Sequence, residues 1–430
     1  MAHGREKRLF CLLIAALIIA QAFGFGCIEK DDDKTVVEAT ASAAVFVTPE
    51  PMPTPNATAL PSAEPTPEPT PTPAPPPTVD ELIDAYIAGM STEAKLGQLV
   101  MFGFGGKRGV DKEFTTIADE YLIGNIIFYG NNVDREDGSG GFDTMAGLVR
   151  LLNENEPAGI PRLYSIDIEG GSVHRFIWQR ELYSARALGG LTPEAAYTQF
   201  EYVGESLREI GINLDLAPVL DIAPRPMDTF LGSRIISADA EKAAEIGSAI
   251  IEGLHAGNCL ATAKHFPGHG GTNDDSHQVT PVVYSSEERL RSYDLLPFAA
   301  GVEAGVDCVL VAHISYPALD ENDIASMSPV IIEGLLRGEL GFDGVVISDD
   351  FRMQGLTNRY PAEDAAVRFI LAGGDIILCG ATYSVQRQIM ESLKNAAEDG
   401  TLSAERIDLS VHRVLYAKYK AGIWEPPAAD

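Results

Sequence analysis

Basic residues are scarce in this chain. It carries 32 Lys and Arg against 62 Asp and Glu, for a net charge of −30 over 430 residues. Nucleic-acid binding wants a basic face, so that function class is excluded. Otherwise the charge speaks to solubility and not to fold. Cysteine is scarce too, at five. Cys11 and Cys27 lie near the N-terminus; Cys259, Cys308 and Cys379 each begin or end an apolar run. An odd number so placed makes no disulfide framework, and the three read as buried thiols. The zinc-protease pattern HEXXH and the serine-hydrolase elbow GxSxG are both absent. That removes the strongest sequence signals for a zinc hydrolase and for a serine triad.

The N-terminal region is built differently from the rest. Arg5, Lys7 and Arg8 precede the apolar run LFCLLIAALIIA (9–20). A basic head before roughly 7–15 apolar residues is the pattern of an export signal. A spanning helix needs about 20 such residues. The run is followed by FGFGC, ending at Cys27, which resembles a lipoprotein processing site, with Gly24 where Leu or Val is usual. Residues 1–27 are therefore expected to be an export segment with Cys27 lipidated, two acyl chains being enough for stable anchoring. A plain signal peptide or an uncleaved anchor is the alternative. Residues 28–78 are dominated by Pro, Thr, Ala and Glu. They hold too little apolar surface to offset their ordering entropy, and are expected to be an extended linker. Such a layout predicts a protein tethered to the outer face of a cell membrane, or secreted. Residues 79–430 suffice for one large domain. The chain ends soon after a final helix near Lys420, so a single catalytic domain is expected. The protein is expected to be a monomer.

From residue 80 short apolar runs alternate with longer amphipathic stretches. The runs are 98–104, 124–130, 162–168, 213–221, 259–266, 307–315, 344–350 and 375–380. Near-continuous apolar runs suit parallel strands covered on both faces. The stretch 192–211 opens Thr-Pro-Glu, a cap followed by proline in the first turn. Ser237 and Ser285 are candidate caps for the next two helices. Gly211, Gly257, Gly305 and Gly374 are candidate helix stops ahead of strands. Eight such units predict a (β/α)8 TIM-type barrel, with a doubly wound open sheet as runner-up.

A barrel places its active site at the carboxyl ends of its strands. Standing there are Asp167 and Glu169, Asp221 and Arg234, Lys264 and His265, His313, and Ser348-Asp349-Asp350. After Lys264 the chain reads HFPGHGGTNDDSH, which carries His265, His269 and His277. Pro267 and Gly268 disfavour the helix that a metal-binding i, i+4 histidine pair would need. A metal site of His265, His269, His277 and an aspartate is the weaker alternative, and no cofactor is expected. A retaining glycosidase needs a carboxylate nucleophile and a proton donor. Asp349 suits the first role, with Asp350 as competitor, since successive strand residues face opposite ways. Asp275 and His277, two apart in a loop, suit the second: the carboxylate orients the imidazole and stabilises its cation. Gly268, Gly270 and Gly271 are expected to leave that loop mobile.

KHFPGHG followed by DSH resembles the signature of glycoside hydrolase family 3, in its β-N-acetylhexosaminidase branch. IDIEGGSVHRF, LAPVLDIAP, GSRIIS and VVISDDFRM resemble further family segments, across residues 95–380. The resemblance implies a (β/α)8 fold, retaining hydrolysis of terminal β-N-acetylglucosamine and no metal. It implies Asp349 as nucleophile, His277 as acid/base and Asp275 as its partner. It also implies that Asp167, Arg175, Arg234, Lys264 and His265 hold the sugar, as a planar Arg fork and a Lys ammonium can. Ile168 stands where the family often has glutamine, and PRPMDTFLG (224–232) is unusual before Arg234. The expected partner is an oligosaccharide, derived from peptidoglycan or related to chitin. A phosphorylase, another β-glycosidase and a non-enzymatic anchored sugar-binding protein are the competing functions.

Overall fold

The computed structural model describes residues 76–428, apart from 155, 157 and 158. The expected export segment, Cys27, and the linker up to residue 75 lie outside the described residues. Eight strands form one sheet: β1 Val100–Gly103, β2 Asn125–Phe128, β3 Leu163–Ile166, β4 Leu214–Asp215, β5 Leu260–Phe266, β6 Cys308–Val311, β7 Val345–Ser348 and β8 Ile377–Cys379. Every pairing is parallel, in the order β7-β6-β5-β4-β3-β2-β1-β8. The ends meet. The Ser348 N–H donates to Ile376 O at 2.9 Å and the Ile376 N–H to Val346 O at 3.0 Å. Helices lie between successive strands, so this is a (β/α)8 barrel and not an open sheet.

The strand period of two separates two cores. Met101, Ile127, Leu163, Leu214, Leu260, Cys308, Val345, Ile347, Ile376 and Leu378 fill the barrel interior. Their neighbours, such as Phe102, Ile126, Ile166, Ala261, Val309, Val346 and Ile377, pack outward against the helices. The same alternation decides which residues beyond the strand ends point inward. Leu163 and Ser165 lead to Asp167 and Glu169; Leu260 and Thr262 lead to Lys264; Val345 and Ile347 lead to Asp349. Strand β5 then shifts register between Lys264 and Phe266, and Phe266 joins the outer core. Cys259, Cys308 and Cys379 are buried free thiols, as expected.

Some local expectations are displaced. Strand β4 is only two residues long where 213–221 was expected. Pro218 has no N–H for the ladder, and beyond Asp215 only an isolated bridge pairs Val219 with Lys264. The helix Pro193–Glu209 does open with proline in its first turn, after Thr192. Ser237 is not the cap of the helix Ala240–Ala256: Asp239 takes that position, its side chain accepting from the Lys242 N–H. Ser286, one residue beyond Ser285, caps the turn Glu287–Arg289. Gly211 and Gly305 adopt positive φ as helix stops, and Gly257 caps the helix Ala240–Ala256 with the positive φ falling on Asn258, but Gly373 takes the place of Gly374.

Candidate active site

One cavity of about 520 Å³ opens at the carboxyl ends of the strands. Asp167, Arg175, Arg234, Lys264, His265, His277 and Asp349 all line it. Seven side chains spread over 182 residues of sequence thus converge because the barrel aligns its strand ends. Asp275 is not on the cavity wall but is bonded to His277. The lining also includes Asp350, the competing nucleophile candidate, and Tyr129, Glu169, Phe230, His269, Ser276, Arg352 and Met353, to which the sequence assigns no role in binding or catalysis.

The floor is a chain of alternating charges. Asp167 takes Arg175 at 2.8 Å on one oxygen and Lys264 at 2.8 Å on the other. Lys264 also reaches Glu169 at 2.7 Å. Arg234 grips Glu169 with Nε and Nη2, at 2.7 and 2.9 Å. Burial pushes the Glu169 carboxyl up, but Lys264 and Arg234 outweigh it and hold the group down at about 2. Burial likewise opposes ionisation of Asp167, and Lys264 and Arg175 hold it well below the usual carboxylate range. Three cations thus face two carboxylates that stay ionised near neutral pH. Such a floor presents fixed donors and acceptors to the hydroxyls of a polar ligand. Glu169 is the member that the sequence places at the strand ends without a role. The inward run 163–165–167–169 was its available signal.

His265 stands at the floor's edge, its Nδ1 held 2.6 Å from the buried carboxylate of Asp221. The loop 224–232, unusual in the sequence, folds into two short turns and brings Phe230 to the wall, 4.6 Å from the His269 ring. Ile168 is fully buried in the outer core and does not line the cavity. It takes no direct place at the site.

The two adjacent aspartates differ. Asp350 is tied by Arg352 Nη2 at 2.6 Å, by the Tyr129 hydroxyl at 2.7 Å and by the Gly380 N–H at 3.3 Å. Burial pushes its carboxyl up, and Arg352 more than offsets this, keeping it ionised. Asp349 makes no ion pair among the described residues. Its Oδ1 accepts only the Asp350 N–H, at 2.8 Å. Its backbone is held at both ends: its N–H donates to Val311 O at 3.0 Å, and its carbonyl accepts from His313 Nε2 at 3.1 Å. His313 is fully buried, with Nδ1 2.8 Å from the Ser326 hydroxyl.

Across the cavity, His277 Nδ1 lies 2.8 Å from Asp275 Oδ1, which also accepts the His277 N–H at 3.0 Å. The bond uses Nδ1, and Nε2 has no partner among the described residues. Burial pushes the Asp275 carboxyl up, but the bonds from His277 together outweigh it and lower the group, so it stays ionised opposite the ring. The glycines of this loop serve close packing. A Cβ on Gly270 would stand 1.9 Å from Ile222 O, and one on Gly271 would stand 2.7 Å from Val283 Cγ1. Among the described residues, no group of three or more His, Cys, Asp or Glu is arranged to hold a metal ion.

The model of the glycosyl hydrolase family 3 N-terminal domain matches residues 91–417. The chain belongs to glycosyl hydrolase family 3. Within that family it is 34% identical over 291 residues to a beta-hexosaminidase of Xylella fastidiosa (strain M23), covering 65% of this chain and 82% of that one. It is 28% identical over 373 residues to beta-hexosaminidase A of Pseudoalteromonas piscicida, covering 77% of this chain. The solved family 3 beta-N-acetylglucosaminidase from Paenibacillus sp. str. FPU-7 superposes with a TM-score of 0.74 at 36% identity, covering 80% of this chain. The chain spans 61% of the length of the Pseudoalteromonas protein and 65% of the Paenibacillus chain.

Proposed function

We propose that the chain is a retaining exo-β-N-acetylglucosaminidase. The observation that carries the reading is one cavity with an ion-pair-free carboxylate, Asp349, and a histidine, His277, fixed by Asp275 with Nε2 free. In the first step an Asp349 oxygen attacks the anomeric carbon while the His277 imidazolium gives its Nε2 proton to the departing glycosidic oxygen. The products are a glycosyl-aspartate and the freed alcohol. In the second step the neutral imidazole takes a proton from water, whose oxygen displaces Asp349 from the anomeric carbon. Retained configuration follows from the two displacements. Asp275 remains ionised and stabilises the imidazolium in each half-reaction. Asp167, Arg175, Lys264, His265 and Arg234 hold the sugar, and Glu169 orients Lys264 and Arg234. The names of the relatives support N-acetylglucosamine as the sugar.

The natural substrate follows from the location. If Cys27 is lipidated, the enzyme works at the cell surface on oligosaccharides released from peptidoglycan or related glycans. Metabolic labelling with a fatty acid tests this: label is expected on the intact chain and not on Cys27→Ala.

The chemistry is tested with a panel of β-N-acetylglucosaminides. His277→Ala is expected to lose about 10²-fold or more on substrates with poor leaving groups, and far less on dinitrophenyl substrates, as removal of a general acid does. Equal losses on both would remove His277 from that role. Sugar 1-phosphate as the main product in the presence of phosphate would make the enzyme a phosphorylase instead.

A further inference from the structure

The loop that carries His277 is pinned at its middle residue. Ser276 is 2% exposed, although Asp275 is only partly buried and His277 is open to solvent. The Ser276 carbonyl accepts the Gly355 N–H at 2.9 Å, just beyond the Asp349 strand end. Thr280 Oγ1 donates to Gly355 O at 2.8 Å. The Ser276 hydroxyl lies 3.0 Å from His269 Nε2.

His269 is 1% exposed. Its backbone N–H donates to Asp221 Oδ1 at 2.6 Å, the carboxylate whose other oxygen holds the His265 ring. One buried carboxylate therefore anchors both the histidine at the sugar floor and the histidine that holds the loop. His269 Nδ1 is buried without a partner. Buried polar atoms are rarely left so, and a ring there for packing alone would not need nitrogens. Burial also pushes this imidazole down to about 4, so it is neutral near pH 7. An orphaned acceptor is better tolerated than an orphaned N–H. The proton therefore belongs on Nε2, which donates to the Ser276 oxygen.

We propose that His269 is a positioning residue: its hydrogen bond to Ser276 sets the Asp275–His277 pair over the cavity in the orientation that lets His277 transfer its proton. The inference rests on the acid/base role given to His277 above. The Asp349 attack does not pass through the latch, so loss of the latch weakens proton transfer and spares nucleophilic attack.

The test measures kcat/KM over a series of β-N-acetylglucosaminides with leaving groups from alkyl to dinitrophenyl. Ser276→Ala removes the hydroxyl with little change in volume. His269→Phe removes the donor, and His269→Gln keeps an N–H in a similar place. Ser276→Ala and His269→Phe are expected to lose about 10-fold or more with poor leaving groups and little with dinitrophenyl, a share of the roughly 10²–10⁴ that general acid catalysis supplies. His269→Gln is expected to recover most of the loss. Equal losses across the series, or none, would overturn the latch. His277→Ala run alongside separates the two ideas. If it is selective for poor leaving groups and Ser276→Ala is not, only the latch fails. If His277→Ala is itself unselective, the acid/base reading fails first.

Discussion

Asp349 and Asp350 are the same residue in consecutive positions, and surroundings alone distinguish them. Alternation along β7 turns Asp349 toward the cavity, and Arg352 with Tyr129 occupies Asp350. The first half of this was legible in the sequence, because strand alternation is a local rule. The second was not, since Tyr129 lies 221 positions away. Glu169 stood among the strand-end residues without a role for a similar reason: its partners Lys264 and Arg234 come from other units of the barrel. Its ionisation has a consequence for stability. The folded carboxyl titrates near 2 against 4.5 ordinarily. A depressed folded pKa contributes stability that is complete above the unfolded value and is lost as pH falls through the folded one. Urea midpoints at pH 7 and pH 3 should therefore converge in Glu169→Gln relative to the unaltered protein. An unchanged pH slope would show that Glu169 carries no such linkage.

At the scale of elements, the apolar runs marked all eight strands but overstated β4, because pairing beyond Asp215 depends on neighbours and not on apolar character. Helix caps moved by one or two residues for the same kind of reason. Ser237, Asp239, Ser285 and Ser286 all have capping chemistry, and backbone geometry selects among them. The loop glycines were read as a source of motion, whereas Gly270 abuts the backbone of Ile222. Its replacement by Ala forces backbone apart between β4 and β5. Such overpacking costs about 1–3 kcal/mol or more. Gly270→Ala should lower the urea midpoint and reduce activity through the displaced loop. Wild-type stability in this variant would mean that the loop can retreat freely.

At the scale of the whole molecule, a buried charge cluster without a part in the chemistry secures the end of the barrel away from the cavity. Asp375 precedes β8 at the end away from the cavity and is fully buried. Arg337 from the helical segment Val330–Glu339 meets it at 2.7 Å, and Arg413 and Ser410 from the last helix, Ala404–Lys420, meet it at 3.2 and 2.5 Å. Removing one partner of such a buried cluster costs about 3–5 kcal/mol. Asp375→Asn should therefore lower the urea midpoint sharply and leave kcat of the folded enzyme unchanged; a selective loss of kcat would contradict this division. The barrel itself was legible in the count of strands and intervening helices, and the site followed from the rule that strand carboxyl ends carry function. The central claim, that Asp349 becomes covalently bonded to the sugar, has a direct measurement. The protein is incubated with a fluorinated N-acetylglucosaminyl fluoride that reacts quickly and is released slowly, then digested and analysed by mass spectrometry. The sugar is predicted on the peptide containing Asp349, at that residue, and absent from Asp349→Asn. A sugar attached at Asp350 or elsewhere, or turnover with inverted configuration and no adduct, would contradict the account.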